Sequence, residues 1–467
     1  MGLFALVVYG VGDMVGSGIY ATVGKAAAQT GNAVWLSFVV SMVAAMLTGL
    51  SYASIASRYP RAAGAAYVTH RAFHLAFLSY LIGLAVCASG LTSMATSSNA
   101  FSDILAEMIG VKGRLGTLEW TPFGWPVILR DGGVALVIFG FIALLTFLNF
   151  WGIRESMWAN LLCTAVEVGG LVFVIALGLR YWGGINYLET PRATFDPATN
   201  AMTSTGLGPA MLFSGAVLTF FSFVGFEDML NVSEEVKNPE RTMPWGIVTA
   251  LCVATVLYIG VAITAVSVVH YQELAKAPAP LAAITHVTAP WLPKWVFRVV
   301  TMFAVANTVL INYIMGSRLL YGMARQGLVP APLGRIHHDR RTPYVAILTL
   351  LVLVIVLAMS GGVTDLGTAT GLLLLACFAV VNGSLIVLKL RRGEPHGRFE
   401  VPVVVPALGI LVNLALIGAR LLDPAMPRRP LVIAAVLVVG IAVLYLIVRP
   451  RAITEEALAE MEHEHDE

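Results

Sequence analysis

Charged residues are scarce in this sequence of 467 amino acids. Asp, Glu, Lys and Arg make up 12% of the chain, whereas hydrophobic residues make up 58% and the mean hydropathy is +0.82. Water-soluble domains carry roughly 25% charged residues, so this composition excludes an ordinary soluble fold. The formal net charge of +2 gives no reason to expect a charged macromolecular partner. We expect one membrane domain.

Cysteines and clustered basic residues are also rare, and this argues against several kinds of site. The four cysteines lie in separate apolar segments without a CxxC pair: Cys87, Cys163, Cys252 and Cys377. A disulfide framework or a zinc site is therefore not expected. No cluster of Lys and Arg with interleaved aromatics occurs, so nucleic-acid binding is not expected either. We interpret His337-His338-Asp339, which has no second ligand cluster, as a solvated loop, and we expect no cofactor and no enzyme activity.

Apolar runs long enough to cross a bilayer, about 20 residues each, recur along the whole chain. Hydropathy predicts about twelve spans, near 3–24, 33–57, 75–108, 132–150, 156–180, 209–232, 244–269, 295–323, 343–360, 366–390, 402–422 and 430–449. Segments 182–208 and 271–294 are predicted to be external loops. No basic residue precedes Lys25, so the first span is interpreted as a retained helix rather than a cleaved signal peptide. The sequence predicts an all-α polytopic membrane protein.

The distribution of Lys and Arg predicts the orientation of the chain. An even number of spans places both termini on one side, and basic residues concentrate in cytoplasmic loops. The densest basic stretches, 335–341 and 389–398, fall on the same side as the termini. We therefore expect a bacterial-type cytoplasmic (inner) membrane protein with both termini in the cytoplasm. Residues 1–451 form the membrane domain, and 452–467 form an acidic cytoplasmic tail.

The first span contains four closely spaced glycines, Gly10, Gly12, Gly16 and Gly18. Glycine weakens a helix, and backbone released from a helix at membrane depth persists only where protein or a water-filled cavity covers it. One interpretation is therefore a break near Gly16–Gly18, whose N–H groups would face an anionic group such as a carboxylate. The other is close helix–helix contact through small residues. Glycine spacing alone leaves both open.

The sixth span offers a second candidate break. Gly225 lies among aromatic residues in the segment 220–226, and two acidic residues, Glu227 and Asp228, follow at once. Five helices separate this glycine from Gly16. Interrupted hydrophobic segments in corresponding halves of a chain are a sequence signal for a transporter binding site. The two segments together therefore indicate such a site.

Ionisable residues inside membrane spans are candidates for function, because each is costly to bury. Three stand out: Asp13 in span one, Glu167 in span five and Glu227 after the second candidate break. Glu167 has the most apolar surroundings. It is either a structural carboxyl bonded to a neighbouring broken backbone or a carboxyl that loads and releases a proton during transport, and one group can do both.

Four motifs resemble the amino acid–polyamine–organocation superfamily of secondary transporters. They are Gly16-Ser17-Gly18-Ile19-Tyr20, the stretch 223–239 with Glu234-Glu235-Val236-Lys237-Asn238-Pro239, the segment 317–330, and the segment 59–67. The resemblance implies a leucine-transporter-type fold of two five-helix inverted repeats, about 3–180 and 209–390, with broken helices 1 and 6. Two extra helices follow at about 402–449. It also implies alternating access around a midplane site.

The resemblance also assigns a substrate site. The first break would bind substrate through Gly16, Ser17, Gly18 and Ile19, and the second would supply Phe221, Ser222, Phe223, Val224, Gly225 and Phe226, with Phe221 as the gating aromatic. Proton-coupled relatives carry a lysine in span five where this chain has Glu167, and the position of Asp13 is commonly small or neutral. Glu167, Asp13 and Glu227 are therefore the candidates for proton coupling.

Several alternatives remain open at this point. A channel would be expected to show a ring-forming filter repeat, whereas a nutrient receptor that does not transport would share every feature. An exchanger of amino acids or polyamines is also possible. The expected substrate is an amino acid or a related amine, and the neutral residues Ser93, Ser97, Asn99 and Asn307 are candidates to line its pocket. A proton is the expected coupling ion and the lipid bilayer the expected surroundings.

Overall fold

A computed structural model describes most of the chain. The described residues are 2–59, 64–108, 118–120, 127–129, 132–151, 153–191, 193–196, 201–204, 208–325, 328–338, 340, 342–422 and 427–448. The predicted acidic tail at 452–467, Asp339 and part of the 59–67 motif lie outside these residues.

Helices dominate the described part of the chain. The α-helices are α1 (Leu3–Met14), α2 (Ser17–Tyr20), α3 (Val23–Thr30), α4 (Val34–Arg58), α5 (Ala65–Phe73), α6 (Ala76–Met108), α7 (Gly132–Trp151), α8 (Ile153–Gly178), α9 (Pro209–Phe220), α10 (Pro239–Val268), α11 (Tyr271–Lys276), α12 (Pro280–Thr288), α13 (Lys294–Arg325), α14 (Tyr344–Ser360), α15 (Val363–Leu390), α16 (Val404–Leu422) and α17 (Arg429–Val448). Short 3₁₀ segments lie at Gly31–Ala33, Leu179–Tyr181, Phe221–Phe223, Phe226–Glu235 and Ala331–Gly334.

Two antiparallel hairpins lie in the longer connections. Strand β1 (Leu118–Trp120) pairs with β2 (Val127–Leu129), and β3 (Ala193–Asp196) pairs with β4 (Ala201–Ser204). The second hairpin lies within the predicted external loop 182–208. Both hairpins connect helices, and the body of the fold is helical.

Ten helical segments within the described residues are long and apolar enough to cross a membrane. The predicted spans near 132–150 and 343–360 correspond to shorter apolar helices, Val137–Trp151 and Tyr344–Ser360. The predicted loop at 271–294 is instead mostly helical, because it forms α11 and α12. Tyr271 and Leu274 on α11 are buried, and α11 packs against α3. The short apolar face of α11 therefore stabilises helix where low overall hydropathy indicated a loop.

The C-terminal half of α1 lies in the interior of the bundle. This helix packs against α8 and α10, while α13 packs against α6 and α8. The helices α16 and α17 lie at the periphery, and few residues of α17 are buried within the described part of the chain. Its exposed side chains include Val436, Val439 and Leu446, as expected for a helix whose neighbours are lipid tails.

Small polar side chains join the helices inside the bundle. Ser41 on α4 donates a hydrogen bond of 2.7 Å to the Ala216 carbonyl of α9, and Asn382 on α15 accepts one of 2.6 Å from Ser51. Asn382 also donates to Thr48, at 3.1 Å. Hydrogen bonds of this kind hold membrane helices together where the hydrophobic effect contributes little between them.

Ion pairs gather at one end of the bundle, which we call the Arg58 face after Arg58, Arg71, Glu240, Glu394 and Glu400. Arg58 binds Glu400 with two nitrogens, at 2.5 Å and 3.0 Å, and Lys389 also contacts Glu400. Burial alone would raise the pKa of Glu400, but hydrogen bonds from Arg58, Lys389 and the Gly397 N–H lower it to about 2. These contacts join α4 to the segment between α15 and α16.

Candidate functional site

The first membrane helix is interrupted where its glycines indicated a break. The helix α1 ends at Met14, and α2 begins at Ser17 after the non-helical residues Val15 and Gly16. The Tyr258 hydroxyl donates a hydrogen bond of 2.7 Å to the Met14 carbonyl, and the Ser17 N–H donates one of 2.9 Å to Thr308 Oγ1. Side chains of α10 and α13 thus satisfy backbone groups that the break releases at membrane depth.

The second interruption follows α9. A 3₁₀ turn, Phe221–Phe223, leads to Val224 and Gly225, and a longer 3₁₀ segment begins at Phe226. Gly225 has a φ of +122°, which L side chains rarely adopt, and a Cβ there would lie 2.9 Å from the carbonyl carbon of Asp13. Glycine is therefore required here both by backbone conformation and by close contact with the end of α1.

The two interruptions pack directly on each other. Ser222 Oγ donates a hydrogen bond of 2.6 Å to the Gly18 carbonyl, and a Cβ at Gly18 would overlap the Ser222 Cα. Gly10 and Gly12 likewise leave no room for a Cβ beside Met229 and Thr164. Both interpretations of the glycine pattern are therefore realised, since the segment is broken and is also a close packing surface.

A small cavity of about 10 Å³ lies between the interruptions. Its lining comprises Asp13, Met14, Ser17, Gly18, Ser93, Phe221, Val224, Gly225, Asp228, Thr308 and Asn312. This volume has room for about one water molecule, which is far less than an amino acid requires. The structure is therefore closed around this site, which we call the central cavity.

A larger cavity of about 80 Å³ adjoins the central cavity. Both are lined by Val224, Asp228 and Asn312. From there the larger cavity runs past Glu227 and Tyr52 to Gly64–Ala66, at the start of α5. Because α5 carries Arg71, this cavity leads towards the Arg58 face, and we call it the side cavity.

The predicted substrate-binding residues divide into two groups. Ser17, Gly18, Phe221, Val224 and Gly225 line the central cavity. Of the others, Gly16 packs against Thr308, Ser222 bonds to Gly18, Ile19 is fully buried, Phe223 packs edge-on against Tyr258, and Phe226 packs against Phe378. The residues of the second group do not line the central cavity. Their contacts instead hold the two interruptions in place. The gating-aromatic position, Phe221, is in the lining.

The three acidic candidates lie close to the interruptions. Asp13 lines the central cavity and is 8% exposed, and its Oδ2 is buried with no hydrogen-bond partner among the described residues. Glu227 lines the side cavity, and its Oε2 accepts a hydrogen bond of 2.9 Å from the Gly225 N–H. Gly225, whose N–H donates to Glu227, also lies against the Asp13 carboxyl group. The structure therefore brings Asp13 and Glu227 together at Gly225.

Glu167 is the most deeply buried of these acids. It is fully buried on α8, and neither of its carboxyl oxygens has a hydrogen-bond partner among the described residues. It faces the Asn307 side chain of α13, and the Tyr20 hydroxyl donates a hydrogen bond of 2.5 Å to its backbone carbonyl. Tyr20 is the last residue of α2, so Glu167 is in direct contact with the short helix that follows the first interruption.

The neutral candidates have different surroundings. Ser93 lines the central cavity, and Ser97 donates a hydrogen bond of 2.7 Å to Ser17 Oγ. Asn307 lies beside Glu167, whereas the Asn99 amide donates to carbonyls at the end of α14. The first two therefore belong to the site, and Asn99 lies away from it.

Four residues that line the central cavity were not among the candidates from the sequence: Met14, Asp228, Thr308 and Asn312. Thr308 and Asn312 lie four residues apart on α13 and so share one helix face. Asn312 donates a hydrogen bond of 2.8 Å to the Thr308 carbonyl, and Thr308 accepts the Ser17 N–H. Their polar spacing on an apolar helix is the signal that would have found them. Asp228 directly follows Glu227 in the chain.

No group of three or more His, Cys, Asp or Glu residues in the described part of the chain is arranged to hold a metal ion. His338 is exposed, which fits its interpretation as part of a solvated loop.

Comparison with known proteins identifies the family. A family model described as amino acid permease matches residues 1–444. The chain belongs to the amino acid permease family. This family is part of the amino acid–polyamine–organocation superfamily that the motifs indicated. The protein is accordingly a multi-pass membrane permease and not an enzyme.

Relatives of the permease span most of its length. The branched-chain amino acid permease BcaP of Bacillus subtilis is 27% identical over 422 residues, 89% of this chain and 87% of that protein. An uncharacterized transporter of Mycobacterium tuberculosis is 30% identical over 446 residues, 95% of this chain and 90% of that protein. The chloroplastic cationic amino acid transporter 9 of Arabidopsis thaliana is 32% identical over 347 residues, 72% of this chain and 57% of that longer protein.

Proposed function

We propose that the permease is a secondary active transporter that carries amino acids across a bacterial cytoplasmic membrane together with protons. The observation that supports this most directly is the contact between the two interruptions around a cavity lined by Asp13 and Asp228. Broken helices at membrane depth expose backbone groups to a substrate. An enclosed site between two such breaks suits a small zwitterion.

Substrate recognition follows from the backbone at the breaks. The Ser17 N–H is held by Thr308, and the neighbouring Gly16 and Gly18 N–H groups at the break would donate to a substrate carboxylate. Ser17 and Gly18 line the cavity there, and Phe221 lies in the same lining. In this proposal Gly16–Ile19 and Phe221–Phe226 form the binding region, with direct contact from the members that line the cavity.

Alternating access accounts for the two unequal cavities. The central cavity is too small for an amino acid, whereas the side cavity extends from it towards the Arg58 face. Movement around Val224, Asp228 and Asn312 would join the two. We place the Arg58 face in the cytoplasm, because basic residues concentrate on the cytoplasmic side of membrane proteins. The start of α1 lies on the same side of the bundle, because Leu6 packs against Gly246 near the start of α10.

The proposed architecture consists of two inverted repeats, about 3–180 and 209–390, followed by two peripheral helices at about 402–449. The two interruptions support it, because each lies in the first membrane segment of its half. The peripheral position of α16 and α17 is consistent with helices outside the repeats.

Glu167 is the leading candidate to carry the coupling proton, with Asp13 and Glu227 as further candidates. A fully buried carboxylate is costly to ionise at membrane depth, so a neutral Glu167 is favoured while the site is closed. It lies on α8, which packs against α1, and its backbone carbonyl accepts a hydrogen bond from Tyr20 of α2. Movement of α1 and α2 would change its surroundings and so couple proton release to substrate movement.

The direct test is uptake of a labelled panel of amino acids and polyamines into proteoliposomes, with and without an inward proton gradient. The proposal expects accumulation of at least one amino acid that rises with the gradient. Uptake that ignores the gradient but requires internal substrate would show an exchanger instead. Absence of flux for the whole panel, with substrate binding intact, would show a receptor.

A further inference from the structure

Acidic residues from both interruptions meet at the central cavity. Asp13 is the second-last residue of α1, and Asp228 follows the second interruption. Both line the central cavity, and Asp228 also lines the side cavity where the two cavities adjoin. A substrate in the central cavity therefore lies beside both carboxyl groups.

The lining of both cavities carries acidic groups without basic ones. No Lys, Arg or His is among the described residues that line either cavity. The Oδ2 atom of Asp13 is buried and has no hydrogen-bond partner among the residues that the structure describes. A buried acceptor of this kind is costly to leave unsatisfied. A positive group inside the cavity would satisfy it and offset the negative charge of the lining.

The surroundings suit an organic cation better than a metal ion. Within the described residues, the acids do not converge into a group that could hold a metal ion. Other polar groups of the lining fit N–H donors of a larger cation. The Asn312 side-chain N–H₂ donates a hydrogen bond to the Thr308 carbonyl. The side-chain oxygen of Asn312, which lines the cavity, is then the group that can accept a hydrogen bond from a substrate. Ser93 supplies a hydroxyl in the same cavity.

We propose that Asp13 and Asp228 bind the positively charged side chain of the substrate, so that the permease prefers cationic amino acids to neutral ones of the same length. The inference rests on the proposed function, because it takes the two interruptions as the substrate site. Backbone N–H groups at Gly16–Gly18 hold the α-carboxylate, and the Asp13 and Asp228 carboxyl groups in the lining of the same cavity hold the distal ammonium or guanidinium group. Asp228 determines specificity because it lies where the cavities adjoin.

The experiment compares substrates that differ in the distal charge alone. Lysine and norleucine have side chains of similar length, and arginine and citrulline form a second such pair. Each compound is tested for thermal stabilisation of the purified full-length permease and as a competitor of labelled uptake in proteoliposomes. Wild-type protein should favour each cationic member by at least about tenfold, which corresponds to about 1.4 kcal/mol. The binding readout requires no variant.

Two substitutions then locate the effect. Asp228→Asn and Asp13→Asn should each reduce the preference for lysine over norleucine to within about threefold. Asp103→Asn, which removes an acid of α6 outside both cavities, should keep the wild-type ratio. Equal affinity of the wild type for lysine and norleucine, with amino acid uptake intact, would overturn this inference and leave the proposed function standing. Failure to transport any amino acid would instead overturn the proposed function.

Discussion

Ser222 and Gly18 join the two interruptions of the membrane helices through one short hydrogen bond. The Ser222 hydroxyl donates to the Gly18 carbonyl at 2.6 Å, and Thr22 donates to the same oxygen. The carbonyl belongs to α2, and the hydroxyl belongs to the 3₁₀ turn after α9. The broken backbones therefore hold each other in place, and the site depends on their close contact.

Replacement of Gly18 by alanine should disrupt this contact. The added Cβ would overlap the Ser222 Cα, which is backbone and cannot rotate away. Overpacking of this kind costs roughly 1–3 kcal/mol, and displacement of the interruption should reduce uptake to less than about a tenth of the wild-type rate. Gly440→Ala on α17 is the matched control, because no atom lies within 4 Å of a Cβ there. Wild-type uptake by Gly18→Ala protein would refute the assigned contact.

Thr308 is predicted to hold the start of α2 through its hydroxyl group. Its Oγ1 accepts the Ser17 N–H at 2.9 Å. Thr308→Val keeps the shape but removes the acceptor, which should cost roughly 1–3 kcal/mol in a buried setting and raise the KM for uptake. Thr308→Ser keeps the hydroxyl and should restore most of the activity. The hydrogen bond has no role in the site if the valine and serine variants have the same KM.

The interruptions could be predicted from the sequence, because they depend on the positions of glycine residues within single spans. Four glycines in one span, and one glycine between aromatics in another, indicate backbone that does not remain helical. The acids Asp13, Glu167 and Glu227 could also be identified from the sequence, because an ionisable residue in an apolar span stands out without knowledge of the fold. Their arrangement required the structure: Asp13 and Glu227 line adjoining cavities, and Glu167 lies on α8, which packs against α1.

The residues that line the site were harder to predict from the sequence. Inward and lipid-facing sides of a membrane helix are both largely apolar, so hydropathy does not show which side faces the cavity. Asn99 and Ser93 are both polar residues of α6, yet only Ser93 lines the cavity. Thr308 and Asn312 share one face of α13, but this spacing does not show that the face borders the cavity. The helices α11 and α12 were interpreted as loop because their apolar faces are short and their stability depends on packing against neighbours.

The ion pair between Arg58 and Glu400 should stabilise the Arg58 face. The Arg58 side chain is 2% exposed, so Glu400→Gln leaves a buried positive charge with weaker partners and should cost about 3 kcal/mol. Thermal unfolding of the detergent-purified protein measures the loss. Glu240→Gln is the control, because its pair with Arg398 is largely exposed and should contribute less than about 1 kcal/mol. Equal melting temperatures for the two variants would contradict this account.

The same ion pair determines a pH dependence. The pKa of Glu400 is about 2 in the folded protein and about 4.3 in an unfolded chain. Its contribution to stability is therefore complete above about pH 5 and is lost as the pH falls towards 2. Glu400→Gln should accordingly leave the pH profile of uptake unchanged between about pH 5 and 8. A shifted profile in this range would show that Glu400 takes part in proton coupling.

Glu167 should carry the response to the proton gradient. Glu167→Gln keeps the size of a buried side chain but cannot release a proton, so uptake should lose its dependence on the inward gradient while exchange of internal for external substrate persists. Glu273→Gln on α11 is the matched control, because that residue is exposed and far along the chain from the interruptions. If Glu167→Gln and Asp13→Asn both retain uptake driven by the gradient, neither acid is the coupling group.

Proton flux during transport tests the central claim most directly. Proteoliposomes that contain a pH-sensitive dye are given an external amino acid that the permease accumulates, at equal initial pH on both sides. The account predicts acidification of the lumen that begins with substrate addition, saturates with substrate concentration and disappears in Glu167→Gln. Uptake of the same amino acid without any change in internal pH would contradict proton coupling.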